Sequence, residues 1–114
     1  MVEEASPYLT NAYVLEIEGM DCRNDGGAWL SQVGSAMADS KRKALDRVLG
    51  DIRTRTKNPG LRRELLAAYN NATLDTRTLR VQQKLDPERG TCCVALCRVE
   101  IRPDPARMGK LLRK

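Results

Sequence analysis

The cysteines of this chain are the residues whose type and spacing could carry chemistry. There are four among 114 residues, and the chain has no histidine. They are Cys22, Cys92, Cys93 and Cys97. None belongs to a C-x-x-C pair, the spacing typical of zinc sites. Cys93 and Cys97 would share one face of a strand but lie roughly 13 Å apart along it, too far to bridge each other. Three interpretations stay open: buried free thiols, a disulfide from Cys22 to a strand cysteine, or a thiol or metal site.

Other catalytic constellations are missing from the sequence. Without histidine the chain lacks the commonest general base near neutral pH and the commonest metal ligand. It has no G-x-x-x-x-G-K phosphate loop and no serine in a nucleophile elbow. The sequence therefore predicts a non-enzymatic protein with no catalytic residue, no metal ligand and no cofactor.

Charge is unevenly distributed along the chain. The net charge is +5, but residues 1–40 hold one basic and seven acidic residues, whereas residues 41–114 hold 19 basic and 8 acidic residues. A basic surface can attract nucleic acid or an acidic partner, although charge runs mostly solvate a surface. The predicted basic interaction face consists of Lys41, Arg42, Lys43, Arg47, Arg53, Arg62 and Arg63.

The first half of the sequence predicts a strand, a turn and a helix. Residues Ala12–Glu18 alternate apolar and polar side chains, as in a half-buried strand. Gly19–Gly27 is rich in turn residues. Ala28–Gly34 fits either the start of a long helix or a second strand. The glycines beside it and the capping residues Asp39-Ser40 favour the strand, with an amphipathic helix from Ser40 to Ile52.

The second half predicts a short helix followed by a hairpin. Leu61–Tyr69 has helical spacing. Thr73–Leu85 and Cys92–Ile101 read as antiparallel strands joined by the turn Asp86–Gly90, whose glycine can adopt a positive φ. Ala106–Lys114 fits a short basic tail helix.

These elements predict an α+β fold. We expect an antiparallel sheet of three to four strands, with one main helix and one short helix packed on one face. The predicted organisation is a flexible leader over residues 1–11, a single α+β domain over 12–102 and a basic C-terminal tail over 103–114.

Residues 28–102 resemble the small bacterial envelope domain of the lipoprotein-20 type and the N-terminal domain of flagellar assembly protein T. The resemblance lies in a strand that ends in the small-residue segment Val33–Ala36, an Ala-bearing helix from Ala44 to Ile52, and a closing hairpin in which Val94–Val99 forms the last strand. The usual aromatics of that hairpin are replaced by Cys92 and Cys93. The resemblance implies a non-catalytic accessory module that works through protein–protein contacts.

A shorter resemblance concerns metal binding. The segment LEIEGMDC is similar to the first strand and metal loop of heavy-metal-associated domains, in which the pattern is GM-x-C-x-x-C. Here Asp25 occupies the place of the second cysteine.

The sequence as a whole predicts an assembly module that binds other proteins and is able to form oligomers. The lipoprotein-20-type resemblance implies a place in an envelope or flagellar accessory system. A small basic nucleic-acid-binding protein is the alternative, and a thiol or metal module is the third hypothesis. No apolar run approaches the roughly 18 residues of a membrane span. We expect the periplasm or cell envelope if a signal peptide has been removed, and the cytoplasm otherwise.

Overall fold

The structure, a computed structural model, describes residues 13–24 and 28–112. The predicted leader over residues 1–11 lies outside this part of the chain. In chain order the elements are β1 (Tyr13–Arg23), α1 (Trp29–Arg55), α2 (Pro59–Asn70), β2 (Thr73–Asp86), β3 (Gly90–Arg102) and α3 (Pro105–Leu112). The strands form one antiparallel sheet in the order β1-β3-β2, so the predicted α+β class is confirmed.

The prediction of a strand at Ala28–Gly34 is wrong. This segment belongs to α1, one continuous helix of 27 residues. Asp39 and Ser40, predicted to cap a helix start, lie in its middle and bind β1 instead. The Ser40 hydroxyl donates to the Ile17 carbonyl at 2.9 Å, and an Asp39 carboxylate oxygen accepts from the Met20 N–H at 2.9 Å. The segment at which the lipoprotein-20-type resemblance places a strand is therefore helical, and the resemblance itself stays a prediction.

Buried side chains recur at intervals of four residues along α1. Residues four apart lie close to one face of a helix, and every fourth residue over more than six turns of α1 and just beyond it is at most 3% exposed. These residues are Gln32, Ala36, Ser40, Ala44, Val48, Ile52 and Thr56. In its first half the stripe contains only small and polar residues. The glycines and the cap-like Asp39-Ser40 therefore outweighed the alternative that Ala28–Gly34 begins a long helix.

The predicted turn at Gly19–Gly27 is wrong over its first five residues, because β1 continues to Arg23. Gly19 lies within this strand because the position has no space for a side chain. A Cβ atom at this position would overlap the Ala36 carbonyl oxygen and the Ser40 amide nitrogen, and would lie 2.9 Å from the Ser40 Cβ. Glycine here lets the strand backbone approach the helix backbone directly.

The hairpin between β2 and β3 has the predicted chemistry. The Asp86 carboxylate accepts hydrogen bonds from the Glu88 and Arg89 N–H groups at 2.8 and 3.0 Å. These two bonds, the Glu88 bond first, lower the pKa of Asp86. Gly90 closes the turn with a φ of 88°, a conformation that favours glycine.

The described residues divide into two compact units. Unit A comprises residues 13–14, 45–75 and 100–112, and unit B comprises residues 15–24, 28–44 and 76–99. The α1 helix and all three strands contribute residues to both units. The single domain expected over residues 12–102 stays a prediction.

Unit A has an aliphatic core with one buried aromatic residue. Tyr69, Ile52, Leu65 and Ile101 are fully buried. Asn58 caps α2 by accepting from the Leu61 N–H at 3.0 Å. The predicted basic tail contains α3, which packs on α2: the Asp104 N–H donates to the Ala68 carbonyl at 3.0 Å.

Candidate functional site

The first half of α1 covers one face of the sheet in unit B. Gln32 is 3% exposed, and its side-chain amide donates to the carbonyls of Asp21 and Thr91 at 2.9 and 2.6 Å. A single side chain thus ties the helix to β1 and β3 together. Cys93 and Cys97 are fully buried on β3. We call the covered side of the sheet the helix face.

Asp39 adds a charged attachment between α1 and β1. Besides the Met20 N–H, its carboxylate contacts the Lys43 ammonium at 3.0 Å and the Arg42 guanidinium. Burial acts to raise the pKa of Asp39, but the hydrogen bonds from Met20, Lys43 and Arg42 outweigh burial and lower the pKa to about 2. The hydrogen bonds of the folded state therefore stabilise the ionised form of the Asp39 carboxyl group.

Replacing Asp39 by Asn tests this attachment. Because the folded pKa of about 2 lies below the ordinary value of 3.8, the carboxylate stabilises the fold fully above pH ~4 and loses its effect as the pH falls through 2. We expect Asp39→Asn to lower the free energy of unfolding by about 1–2 kcal/mol at pH 7 and by almost nothing near pH 2. Urea unfolding at several pH values measures the difference. The exposed Glu18→Gln is the control, and an equal loss at both pH values would contradict the assignment.

Cys22 and Cys92 form a disulfide that joins β1 to β3. The bridge shows that these two residues lie on the same face of the sheet. Cys93 and Cys97 are buried free thiols. Burial, and secondarily the Asp21 carboxylate, raise the pKa of the Cys93 thiol, which lowers its thiolate fraction and its reactivity.

The face opposite the helix face is the open face of unit B. Successive side chains of a strand point to opposite faces. On β3, Cys93 lies on the helix face, so Cys92 and the other even-numbered residues lie on the open face. On β2 the buried Thr76 hydroxyl points inward, so the odd-numbered residues point away from the helix. The open face consists of Glu16, Glu18, Met20 and Cys22 of β1, Cys92, Val94, Leu96 and Arg98 of β3, and Arg77, Leu79, Val81, Gln83 and Leu85 of β2.

An apolar patch occupies this open face. Val94 is buried at its centre on β3, while Met20, Leu79, Val81 and Leu85 are exposed on the outer strands. Leu85 is 82% exposed. Large aliphatic side chains that are exposed together, with charged residues around them, are typical of interaction surfaces.

One segment of β2 is exposed on both faces of the sheet. Up to Thr78, alternate residues of the strand are partly covered, but all seven residues of Leu79–Leu85 are exposed. We call these residues the β2 segment. Because β2 is an outer strand of the sheet, the β2 segment presents one backbone edge as well as both faces to solvent.

The other outer strand of the sheet differs from the β2 segment. The N–H of Met20 in β1 is bound by Asp39 of α1, and the β1 carbonyls of Ile17 and Asp21 accept from Ser40 and Gln32. No comparable side-chain bond to the backbone of the β2 segment is present among the described residues. Among the described residues, the backbone of the β2 segment is therefore the part of an outer strand that no side chain of α1 binds, which favours it for pairing with an added strand.

The residues of the predicted basic face fall in both units. Lys41, Arg42 and Lys43 belong to unit B, whereas Arg47, Arg53, Arg62 and Arg63 belong to unit A. Several of these cations are engaged within the fold. Arg42 and Lys43 pair with Asp39, and the Arg62 guanidinium donates to the carbonyls of Thr56 and Lys57. Nucleic-acid binding through this face stays a prediction.

The metal hypothesis finds no ligand cluster in the described part of the chain. No group of three or more Cys, Asp, Glu or His side chains is arranged to hold an ion there. Cys22, which would be the first ligand in the heavy-metal resemblance, is bonded to Cys92. Asp25, at the second ligand position, lies outside the described residues.

Comparison with known proteins returned no match. No protein-family model, no curated protein and no solved structure matches the chain. Within residues 13–24 and 28–112, none of the helices combines the length and the apolar character that crossing a bilayer requires.

Proposed function

We propose that this protein is a non-catalytic binding module that recognises another protein by adding one of its strands to the β2 segment. The observation that supports this proposal is the exposure of all seven residues of Leu79–Leu85 in an outer strand. An extended peptide that pairs with such an edge gains main-chain hydrogen bonds, and its alternate side chains gain contacts with the sheet face.

The apolar patch offers exposed apolar surface that an added strand would bury. Leu79, Val81 and Leu85 line the open side of the β2 segment, and alternate side chains of a paired peptide would extend the same apolar surface. Burying one exposed leucine contributes about 1.5–3 kcal/mol when burial is complete. A few such contacts are enough for a specific but moderate affinity.

The disulfide supports a location for this activity. Disulfides persist in oxidising environments such as the periplasm and the extracellular space, and Cys22–Cys92 joins two strands of the sheet. We include in the proposal that the protein works in an oxidising compartment. An envelope or flagellar accessory system, which the lipoprotein-20-type resemblance implies, fits that location.

Two matched leucine variants test the proposed function. Leu85 on the β2 segment and Leu30 on α1 are 82% and 85% exposed, so Leu85→Gln and Leu30→Gln should each change the free energy of unfolding by less than about 0.5 kcal/mol. Peptides selected from a random displayed library against the wild-type protein are then titrated against both variants by fluorescence anisotropy.

We expect Leu85→Gln to raise the Kd of the selected peptides about fivefold to tenfold, and Leu30→Gln to leave the Kd unchanged. Equal effects of the two substitutions, or no enrichment of any peptide by the wild-type protein, would contradict strand addition at the β2 segment.

A further inference from the structure

The two faces of the β2 segment differ in chemistry. Leu79, Val81 and Leu85 lie on the open face, and the alternation of the strand places Arg80 and Lys84 on the opposite face. Both cations are exposed. The segment contains no acidic residue, and within the described residues neither cation has a carboxylate at salt-bridge distance.

From this division we infer that the partner of the β2 segment is an extended peptide in which apolar residues alternate with acidic residues. The inference rests on the proposed function, because it assumes that a strand is added at this edge. A paired strand places its side chains alternately on the same two faces as β2. Its apolar residues would meet Leu79, Val81 and Leu85, and its carboxylates would meet Arg80 and Lys84.

The spacing of the two cations defines the pattern further. Arg80 and Lys84 are four residues apart, which is roughly 13 Å along a strand at about 3.3 Å per residue. Two carboxylates four residues apart in the partner would match this spacing. The partner is thus predicted to carry acidic residues at positions i and i+4. Its apolar residues would lie at i−1 and i+5, which meet Leu79 and Leu85, and at the position between the acidic residues that meets Val81.

A second copy of the chain fits this edge less well. In the antiparallel register that pairs all seven residues of two β2 segments, the centre is Gln82, and Arg80 of one copy lies opposite Lys84 of the other. Like charges directly opposite each other destabilise a sheet. The same two residues that attract an acidic peptide therefore oppose self-pairing, as basic residues on edge strands commonly do.

A nucleic acid would use only half of this surface. Phosphates could contact Arg80 and Lys84, but they would leave Leu79, Val81 and Leu85 exposed to water. A strand with alternating apolar and acidic residues covers both faces, which is the reason to favour a peptide over a polyanion.

Three labelled eight-residue peptides test the inference on the full chain. One alternates Val and Glu, one alternates Val and Lys, and one alternates Ser and Glu. Each is titrated by fluorescence anisotropy against the wild-type protein, the charge-reversed variant Arg80→Glu/Lys84→Glu, and Arg55→Glu/Arg107→Glu. The last variant changes the net charge equally through two exposed cations of unit A. Amide hydrogen exchange locates the bound peptide.

We expect the Val–Glu peptide to bind the wild-type protein more tightly than the other two and to protect amides of residues 79–85. In Arg80→Glu/Lys84→Glu its Kd should rise at least about tenfold while the Val–Lys peptide gains affinity, and Arg55→Glu/Arg107→Glu should behave as wild type. Equal binding of Val–Glu and Val–Lys at residues 79–85 would overturn the acidic preference and leave strand addition intact. Equal binding of Ser–Glu and Val–Glu would overturn the apolar part of the pattern.

Two further outcomes overturn both the inference and the proposed function. One is that no peptide protects residues 79–85. The other is that these residues become protected as the protein concentration rises without peptide, which would identify a second copy as the occupant.

Discussion

Gly19→Val is expected to lower the free energy of unfolding by roughly 3 kcal/mol or more, the largest effect of any single substitution considered for this fold. The valine side chain has no space, because even its Cβ atom would overlap the backbone of α1 at Ala36 and Ser40. Relief requires the helix and β1 to move apart. That movement would lengthen the hydrogen bonds from Ser40 to Ile17 and from Met20 to Asp39.

Chemical unfolding of Gly19→Val and of Gly34→Ala provides the test and its control. A Cβ atom at Gly34 meets no atom within 4 Å, and Gly34 lies inside a helix. Gly34→Ala should therefore stabilise the protein by about 0.5–1 kcal/mol. A loss below about 1 kcal/mol for Gly19→Val would show that β1 and α1 do not meet at Gly19 as described.

Removal of the Cys22–Cys92 disulfide is expected to lower the free energy of unfolding by about 4 kcal/mol. The two cysteines are 70 residues apart in the sequence, and a cross-link over a long loop restricts the unfolded chain most strongly. For a domain of this size that is a large share of the total stability.

The measurement is denaturant unfolding of the wild-type protein and of Cys22→Ala/Cys92→Ala, each with and without dithiothreitol. The wild-type protein should lose about 4 kcal/mol on reduction, and the double variant should be insensitive to the reductant. Cys93→Ala should remain sensitive, because Cys93 is a free thiol. A wild-type protein whose stability does not respond to reduction would rule out the bridge.

Local patterns in the sequence were sufficient to predict the hairpin of β2 and β3. Alternating side chains define each strand, and the Asp86–Gly90 turn has the residues that its backbone requires. The short helix α2 was predicted over Leu61–Tyr69 from its apolar spacing. Its start at Pro59 and its cap at Asn58 were found only in the fold.

The start of α1 could not be predicted in the same way. Asp39 and Ser40 have the chemistry of a helix cap, but in the fold they bind the backbone of β1. A sequence pattern shows which groups can form hydrogen bonds and not which of two backbones they will meet. Gly19 is similar, since a glycine that permits close packing and a glycine that forms a turn look alike in a sequence.

The candidate site depends on which faces of the sheet other elements cover, and the side-chain pattern of a strand does not show this. The alternation of Leu79, Val81 and Leu85 with Arg80 and Lys84 predicts a strand with one apolar face, which would ordinarily be buried. Only the fold shows that both faces of this segment are exposed and that β2 is an outer strand. The choice of Cys92 rather than Cys93 as the partner of Cys22 likewise depends on which face each side chain occupies.

The most direct test of the account is the set of cross-strand backbone nuclear Overhauser effects between the protein and a bound peptide. With a peptide selected by the wild-type protein, the account predicts contacts between peptide backbone protons and the backbone protons of residues 79–85, in the regular pattern of paired strands. Contacts confined to β1 or to the exposed surface of α1 would contradict the proposal that the β2 segment is the binding edge.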